Sequence, residues 1–242
     1  MPRLVDDAVN IIKTMFPQPP PLLIIGHSLG GAIAVHLTAS QRLPVAALIV
    51  VDLVEGTALA SLDHMVDVVN RRPAGFQQLE DAVHWALLAG AVRNIESARA
   101  SMPDQLTKNE TTPPVAREET DGTSPDSSTY YRYLWRTDLL ASQPHWQDWF
   151  TNLSSTFLSC PMPKLLLLAT SDRLDTPLMI AHMQGKLQLE VVANAGHSLQ
   201  EDQPRETAKR IAEFIVRHKL PQSAQVWLKQ QQQLQQTLAK QT

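Results

Sequence analysis

Apolar residues follow two patterns along the chain. Four predominantly apolar runs predict strands; they lie at 22–25, 45–51, 164–170 and 187–193, and the second, continuous one has the composition of a strand covered on both faces of a sheet. Apolar residues at helical spacing predict helices over 4–15, about 31–40, 59–69, 79–88 and 95–102, and from Pro204 onward. A strand, a helix and a second strand in succession form a right-handed parallel unit. The pattern therefore predicts an α/β protein whose parallel sheet is flanked by helices.

A long, mostly helical region separates the second predicted strand from the third. It covers 56–150 and holds four of the five tryptophans, Trp85, Trp135, Trp146 and Trp149. Within it, 104–130 is dominated by Thr, Ser, Pro, Asp and Glu, which predicts a mobile surface loop. We expect one domain over 1–220 with 56–150 inserted as a helical lid, whose aromatic residues face the site or pack the lid on itself. The glutamine-rich tail over 221–242 is expected to be frayed helix or disorder.

Composition excludes several classes of protein. The chain has 242 residues, 43% of them hydrophobic and 19% charged, which suits one globular domain. A formal net charge of −3 gives no reason to expect a nucleic-acid partner. No apolar run reaches the ~18 residues of a membrane span, and the first residues lack the pattern of a secretory signal. The single cysteine, Cys160, allows no internal disulfide, fits a reducing compartment and is expected to be buried packing.

The first apolar run ends in a short motif with chemical meaning. Gly26-His-Ser-Leu-Gly30 has the form G-x-S-x-G and stands between a predicted strand and a predicted helix. This is the arrangement of a nucleophile elbow, in which a tight turn presents the Ser28 hydroxyl above the sheet. The two glycines are expected to avoid clashes in that turn. The Leu29 N–H at the helix start is expected to be an oxyanion donor. An incidental glycine-rich turn is the alternative, and the flanking strand and helix argue against it.

A serine nucleophile needs a base and an acid that orients the base. Of the eight histidines, His197 follows a glycine in a loop after a strand, late in the chain, as the base of this fold does. Four others lie in helical patterns: His36, His64, His84 and His182. Two acids, Asp52 and Asp172, follow predicted strands between Ser28 and His197. The usual position of the acid in the fold favours Asp172, but the residue pattern alone leaves both open.

Several segments resemble the protein phosphatase methylesterases of the α/β-hydrolase superfamily: GHSLGGAIAVH at 26–36, VDLVEGT at 51–57, RNIESAR at 93–99, LSCPMPKLLLL at 158–168, DRLD at 172–175 and MQGK at 183–186. In that family the acid of the triad belongs to the D-x-V-E-G-T segment. The resemblance therefore implies Asp52 as the acid, with Ser28 and His197 in their roles, and makes Asp172 a residue that structures its loop.

The resemblance also implies an activity. It is the hydrolysis of the methyl ester on the C-terminal leucine of the protein phosphatase 2A catalytic subunit, which would be the partner. The steps need no metal and no organic cofactor. Together with the lone thiol, the resemblance implies a cytoplasmic or nuclear location, and neither nucleic acid nor membrane is expected as a partner.

The chain departs from the family pattern before the elbow. Residues 1–27 allow one helix and one strand ahead of Ser28, so the family's N-terminal strands and its H-G-G-type oxyanion loop are expected to be missing. The elbow strand should then lie at a sheet edge. Loss of one oxyanion donor costs ~10²–10³ in rate. The rewritten 104–130 loop also weakens the case for phosphatase docking through it. Two alternatives therefore remain: a general small-ester carboxylesterase or lipase, and a catalytically impaired phosphatase-binding protein.

Overall fold

The computed structural model describes residues 1–111 and 130–220, together with 222, 225, 226, 228–230, 232 and 233. The strands in chain order are β1 Leu22–His27, β2 Val45–Val51, β3 Gly75–Phe76, β4 Leu106–Lys108, β5 Tyr133–Trp135, β6 Lys164–Leu168 and β7 Gln188–Val191. The helices are α1 Pro2–Met15, α2 Leu29–Ala39, α3 Glu55–Asn70, α4 Leu79–Leu88, α5 Ile95–Ser101, α6 Trp146–Phe150, α7 Leu153–Ser159, α8 Thr176–Met183, α9 Leu199–Asp202 and α10 Pro204–Arg217.

The chain forms two compact units. The first comprises Met1–Asp63 and Pro144–Thr242, and the second comprises His64–Gln143. The first unit is built on a parallel sheet in the order β1-β2-β6-β7. The strands predicted from the apolar runs are confirmed, with slightly different ends. β1 is the terminal strand of this sheet, as expected for the elbow strand.

Both faces of the parallel sheet are buried, which explains why its central strands are apolar at every position except Lys164, the first residue of β6. Alternate residues of β2 point to opposite faces: Leu48 packs with α2, α7 and α8, while Ile49 packs with α9 and α10. Both side chains are 0% exposed. Cys160 is buried in the first of these clusters, as expected from the sequence. The carboxyl ends of the strands are thereby held on a rigid frame.

The second unit contains an antiparallel sheet that the sequence pattern did not predict. Its order is β3-β5-β4, and its strands have two or three residues each. Strands this short give too few positions for an alternation to be recognised. Trp85 and Trp135 pack edge to face with ring centroids 5.3 Å apart, and the guanidinium of Arg72 lies 3.5 Å from the Trp135 ring. These aromatic residues thus pack within their own unit.

The boundaries of the second unit differ from the predicted insertion at 56–150. Trp146 and Trp149 belong to the first unit, where α6 contacts α2 and both side chains are buried. The predicted loop at 104–130 also begins too early, because Leu106 is buried and starts strand β4. Residues 112–129 of that loop, and most of the 221–242 tail, lie outside the described residues. The prediction that the inserted region is a lid remains a prediction. Within the described ranges, no helix is both long enough and apolar enough to cross a membrane.

Candidate active site

Ser28 occupies a strained turn between β1 and α2. Its backbone has φ 52° and ψ −125°, a conformation that residues with a side chain adopt rarely, and its hydroxyl does not cap α2. Gly26 makes the turn possible, since a Cβ at this position would lie 2.2 Å from the Gly30 carbonyl oxygen. The sequence expectation for Gly30 was wrong: apart from its chain neighbours and the backbone of its own helix, a Cβ there would meet no described atom within 4 Å. Gly31 is the second glycine in close contact, because its Cβ would lie 3.1 Å from the Gly26 oxygen.

Leu29 is the first residue of α2, directly after Ser28. The N–H groups of the first helical residues have no acceptor within their own helix, and the helix dipole is positive at this end. The Gly31 and Ala32 N–H groups both donate to the Ser28 carbonyl, at 2.8 and 3.2 Å, and so fix the start of the helix. The position of Leu29 is therefore suited to stabilising an anion beside Ser28.

Ser28 and Asp52 lie on neighbouring strands at the same edge of the sheet. The Ser28 N–H donates to the Val51 carbonyl at 3.0 Å, and the Asp52 N–H donates to the Leu167 carbonyl at 2.8 Å. These bonds extend the parallel ladder one residue past β1 and β2. Asp52 also has a positive φ, 47°. The ladder therefore fixes the backbone of both residues where the strands end.

The Asp52 carboxylate is buried and holds His197. Its side chain is 1% exposed, whereas the His197 side chain is 53% exposed. Oδ1 accepts from the Ala169 N–H at 3.0 Å, and Oδ2 lies 2.8 Å from His197 Nδ1. A buried carboxylate is stable only when it accepts such bonds. Because a carboxylate accepts, His197 Nδ1 carries the proton, and Nε2 of the neutral ring is left as a base.

Asp172 occupies a different environment. It lies in the short 3-10 helix Ser171–Arg173 after β6, its residue is exposed, and its carboxylate accepts a hydrogen bond from the Thr170 hydroxyl. The structure thus brings Asp52, and not Asp172, into contact with the imidazole of His197.

His27 connects the segment that carries Ser28 to His197. The rings of His27 and His197 have centroids 4.7 Å apart, and His27 immediately precedes Ser28. Among the described residues, no hydrogen bond joins the Ser28 hydroxyl to the His197 ring. Catalytic hydrogen bonds are often long in ligand-free sites and tighten when substrate binds. The contacts thus connect an imidazole held by Asp52 to the segment that carries the elbow serine.

The sequence analysis did not single out His27 and Asp202, which both contact the loop that carries His197. His27 Nε2 lies 2.8 Å from the His197 carbonyl oxygen, and the Gly196 N–H donates to Asp202 Oδ2 at 2.6 Å. Both contacts hold the loop that carries His197. Burial lowers the pKa of His27, and the neighbouring His197 lowers it further. The position of His27 inside the elbow motif was the signal that could have identified it. In the part of the chain that the structure describes, no three His, Cys, Asp or Glu side chains cluster as a metal site.

Comparison with known proteins identifies the class. The family model described as "Alpha/beta hydrolase family" matches residues 2–210. The chain belongs to this family. E-2-(acetamidomethylene)succinate hydrolase has the same fold, with a TM-score of 0.63 and 19% identity over 87% of this chain and 72% of that one. An esterase of Mycobacterium tuberculosis gives a TM-score of 0.59 with 17% identity, covering 87% and 67%.

Within this family the chain is similar to named methylesterases. Protein phosphatase methylesterase 1 of Bos taurus is 39% identical over 238 residues, which cover 88% of this chain and 63% of the relative. The probable protein phosphatase methylesterase 1 of Caenorhabditis elegans is 40% identical over 221 residues, covering 90% and 56%. The resemblance stated from the sequence segments is confirmed. The chain spans less than two thirds of the length of these relatives.

Proposed function

We propose that this chain is a serine carboxylesterase that demethylates the C-terminal leucine methyl ester of the protein phosphatase 2A catalytic subunit. Ser28 is the nucleophile, His197 the base and Asp52 the acid that orients it. The observation that carries the proposal is the 2.8 Å contact between Asp52 Oδ2 and His197 Nδ1, next to an elbow serine with a positive φ. These three residue types in these relations are the requirements for acyl transfer.

In the first half-reaction, the Ser28 oxygen attacks the ester carbonyl carbon while His197 Nε2 takes the hydroxyl proton. The carbonyl oxygen becomes an anion, which the Leu29 N–H at the start of α2 stabilises. The imidazolium formed at His197 is stabilised by the Asp52 carboxylate through Nδ1. Collapse of the intermediate breaks the bond to the methoxy group, and His197 gives its proton to release methanol.

In the second half-reaction, water attacks the carbonyl carbon of the seryl ester. His197 removes the proton from the water, and the same N–H stabilises the second oxyanion. When the bond to Ser28 breaks, the proton on His197 goes to the serine oxygen, and the product leaves as a carboxylic acid that then loses its remaining proton to solvent. The protein ends as it began, because the Ser28 proton that leaves in methanol is replaced by a proton from water, and His197 carries both.

The choice of substrate is supported by the relatives, whose names state a protein phosphatase methylesterase. The chain resembles the methylesterases in its D-x-V-E-G-T segment after β2, and the two acids of this segment have separate contacts. Asp52 holds His197, and Glu55 accepts from the N–H groups of Asn152 and Ser154 at 2.7 and 2.8 Å. The segment therefore joins the site to the helix α7 that packs against α2.

The test is covalent labelling followed by turnover. We expect a fluorophosphonate to label Ser28 in the wild type and not in Ser28→Ala, with Ser155→Ala, an exposed serine on α7, as the matched control. Methanol release from the methylated phosphatase is then compared with hydrolysis of a p-nitrophenyl ester. Preference for the phosphatase supports the proposal, and preference for the small ester favours a general carboxylesterase. Binding of the phosphatase without labelling of Ser28 would point to a catalytically impaired binding protein.

A further inference from the structure

His27 contacts the main chain of the residue that the mechanism uses as its base. Its Nε2 lies 2.8 Å from the carbonyl oxygen of His197, and the two ring planes are inclined by 45°. A carbonyl oxygen only accepts, so His27 Nε2 must carry the proton. In the neutral ring, Nδ1 is then unprotonated. The contact joins the end of β1 to a loop that is 170 residues away in sequence.

The His197 side chain is half exposed, so surrounding residues restrain it only in part. The hydrogen bond from His27 therefore adds a restraint that the loop otherwise lacks. Asp52 fixes the ring only through Nδ1. Asp202 fixes the preceding residue, through the Gly196 N–H. Neither bond restrains the His197 carbonyl, so the ring could pivot about its contact with Asp52 and move Nε2 away from Ser28. The hydrogen bond from His27 removes that freedom.

We propose that His27 is a positioning residue, whose Nε2–H holds the His197 carbonyl and thereby sets the distance from His197 Nε2 to the Ser28 hydroxyl. The inference rests on the triad of the proposed function. His27 is the residue before the nucleophile, so one segment of chain places both the serine and the main chain of its base. A displacement of ~1 Å between reacting groups can cost ~10²-fold in rate.

The charge of His27 is consistent with this role. Proton transfer from Ser28 makes His197 an imidazolium, and a second positive ring 4.7 Å away would oppose that step. Burial and His197 lower the pKa of His27, while the hydrogen bond to the His197 carbonyl and the charges of Asp52 and Glu201 act in the opposite direction. The net direction is downward, so His27 stays neutral to a lower pH than an ordinary histidine.

The experiment compares His27→Leu with His27→Gln, whose side-chain amide can present an N–H close to the position of Nε2. We expect His27→Leu to lower kcat for a p-nitrophenyl ester about 10- to 100-fold with little change in KM. His27→Gln should stay within about threefold of the wild type. His182→Leu is the matched control, because Nδ1 of His182, on α8, makes a similar contact of 3.3 Å with the Leu187 carbonyl oxygen. Thermal melting of all variants reports folding.

A second readout does not depend on turnover. The Nδ1 proton of His197, bonded to Asp52, should give a downfield NMR resonance in the wild type and His27→Gln that is lost or broadened in His27→Leu. Equal kcat in His27→Leu and the wild type, an equal loss in His182→Leu, or an unchanged resonance would overturn the inference. If the wild type neither labels nor turns over, the proposed function fails, and the resonance alone decides the role of His27.

Discussion

The loops that follow β2 and β6 carry acidic residues at the same spacing, but these acids have different environments in the structure. Each has an acid soon after a buried strand and a second acid three residues later: Asp52 with Glu55, and Asp172 with Asp175. The first acids differ, because Asp52 is buried against His197 and Asp172 is exposed beside Thr170. The β6 side also contributes to the Asp52 site, since the Ala169 N–H donates to Asp52.

The second acids of the two loops converge on one residue. Glu55 Oε2 accepts from the Ser154 N–H at 2.8 Å, and Asp175 Oδ2 accepts from the Ser154 hydroxyl at 2.7 Å. Asp175 also caps α8 by accepting from the Leu178 N–H. Burial and the bonding partner therefore decide the role of such an acid. Asp52 contacts an imidazole, whereas Glu55 and Asp175 hold the ends of helices.

The largest expected effect is on kcat, and it distinguishes Asp52 from Asp172. Asp52→Asn should lower kcat by about 10³-fold or more, because an amide can donate to Nδ1 and favour the wrong tautomer of His197. Asp172→Asn should change kcat by less than about twofold and the free energy of unfolding by at most ~0.5 kcal/mol. Steady-state hydrolysis of a p-nitrophenyl ester measures the rates, and urea denaturation measures stability. A larger loss of rate in Asp172→Asn would make Asp172 the acid.

The next largest effect is on the free energy of unfolding, and it concerns the contacts of Glu55 and Asp175 with Ser154. Glu55→Ala should lower the free energy of unfolding by about 2–3 kcal/mol, because two N–H groups at the start of α7 lose their acceptor. Ser154→Ala loses only the bond to Asp175 and should cost about 1 kcal/mol.

Urea denaturation measures both values, with Asp63→Ala, at an exposed position on α3, as the matched control for Glu55. If Glu55→Ala unfolds at the same urea concentration as this control, the convergence on Ser154 does not stabilise the fold.

The smallest expected effect is a pH dependence of the free energy of unfolding, which comes from His27 and His36. Burial lowers the pKa of His27 and of His36 below the ordinary value of 6.5, so the unfolded chain binds more protons than the folded one below that pH. Stability should therefore fall as the pH drops from 6.5 toward the folded pKa values, and should be fully present above 6.5.

His27→Gln should make this loss of stability shallower, with His64→Gln, at an exposed histidine, as the comparison. Urea denaturation at pH 5 to 7.5 gives the slopes. Parallel curves for His27→Gln and the wild type would show that folding does not hold His27 neutral.

Much of this architecture could be predicted because it depends on local pattern. β2 at 45–51 and α4 at 79–88 were predicted to the residue, since each is a continuous apolar run or a clear helical repeat. The strands of the second unit could not be predicted, because two or three residues carry no period. The need for glycine at Gly31 rather than Gly30 depends on the Gly26 carbonyl, the Leu53 side chain and the Val50 side chain, and these contacts exist only after folding.

By itself, the sequence determined the parallel sheet, the elbow around Ser28 and the late histidine, because these depend on apolar periodicity and on a motif that spans five residues. The residue pattern left Asp52 and Asp172 open and family resemblance favoured Asp52; the tertiary structure alone shows Asp52 in contact with the His197 ring and His27 in contact with the His197 carbonyl. Those relations join residues 145 and 170 positions apart. They depend on which strands become neighbours and on which carboxylate is buried, and one sequence does not encode either as a local pattern.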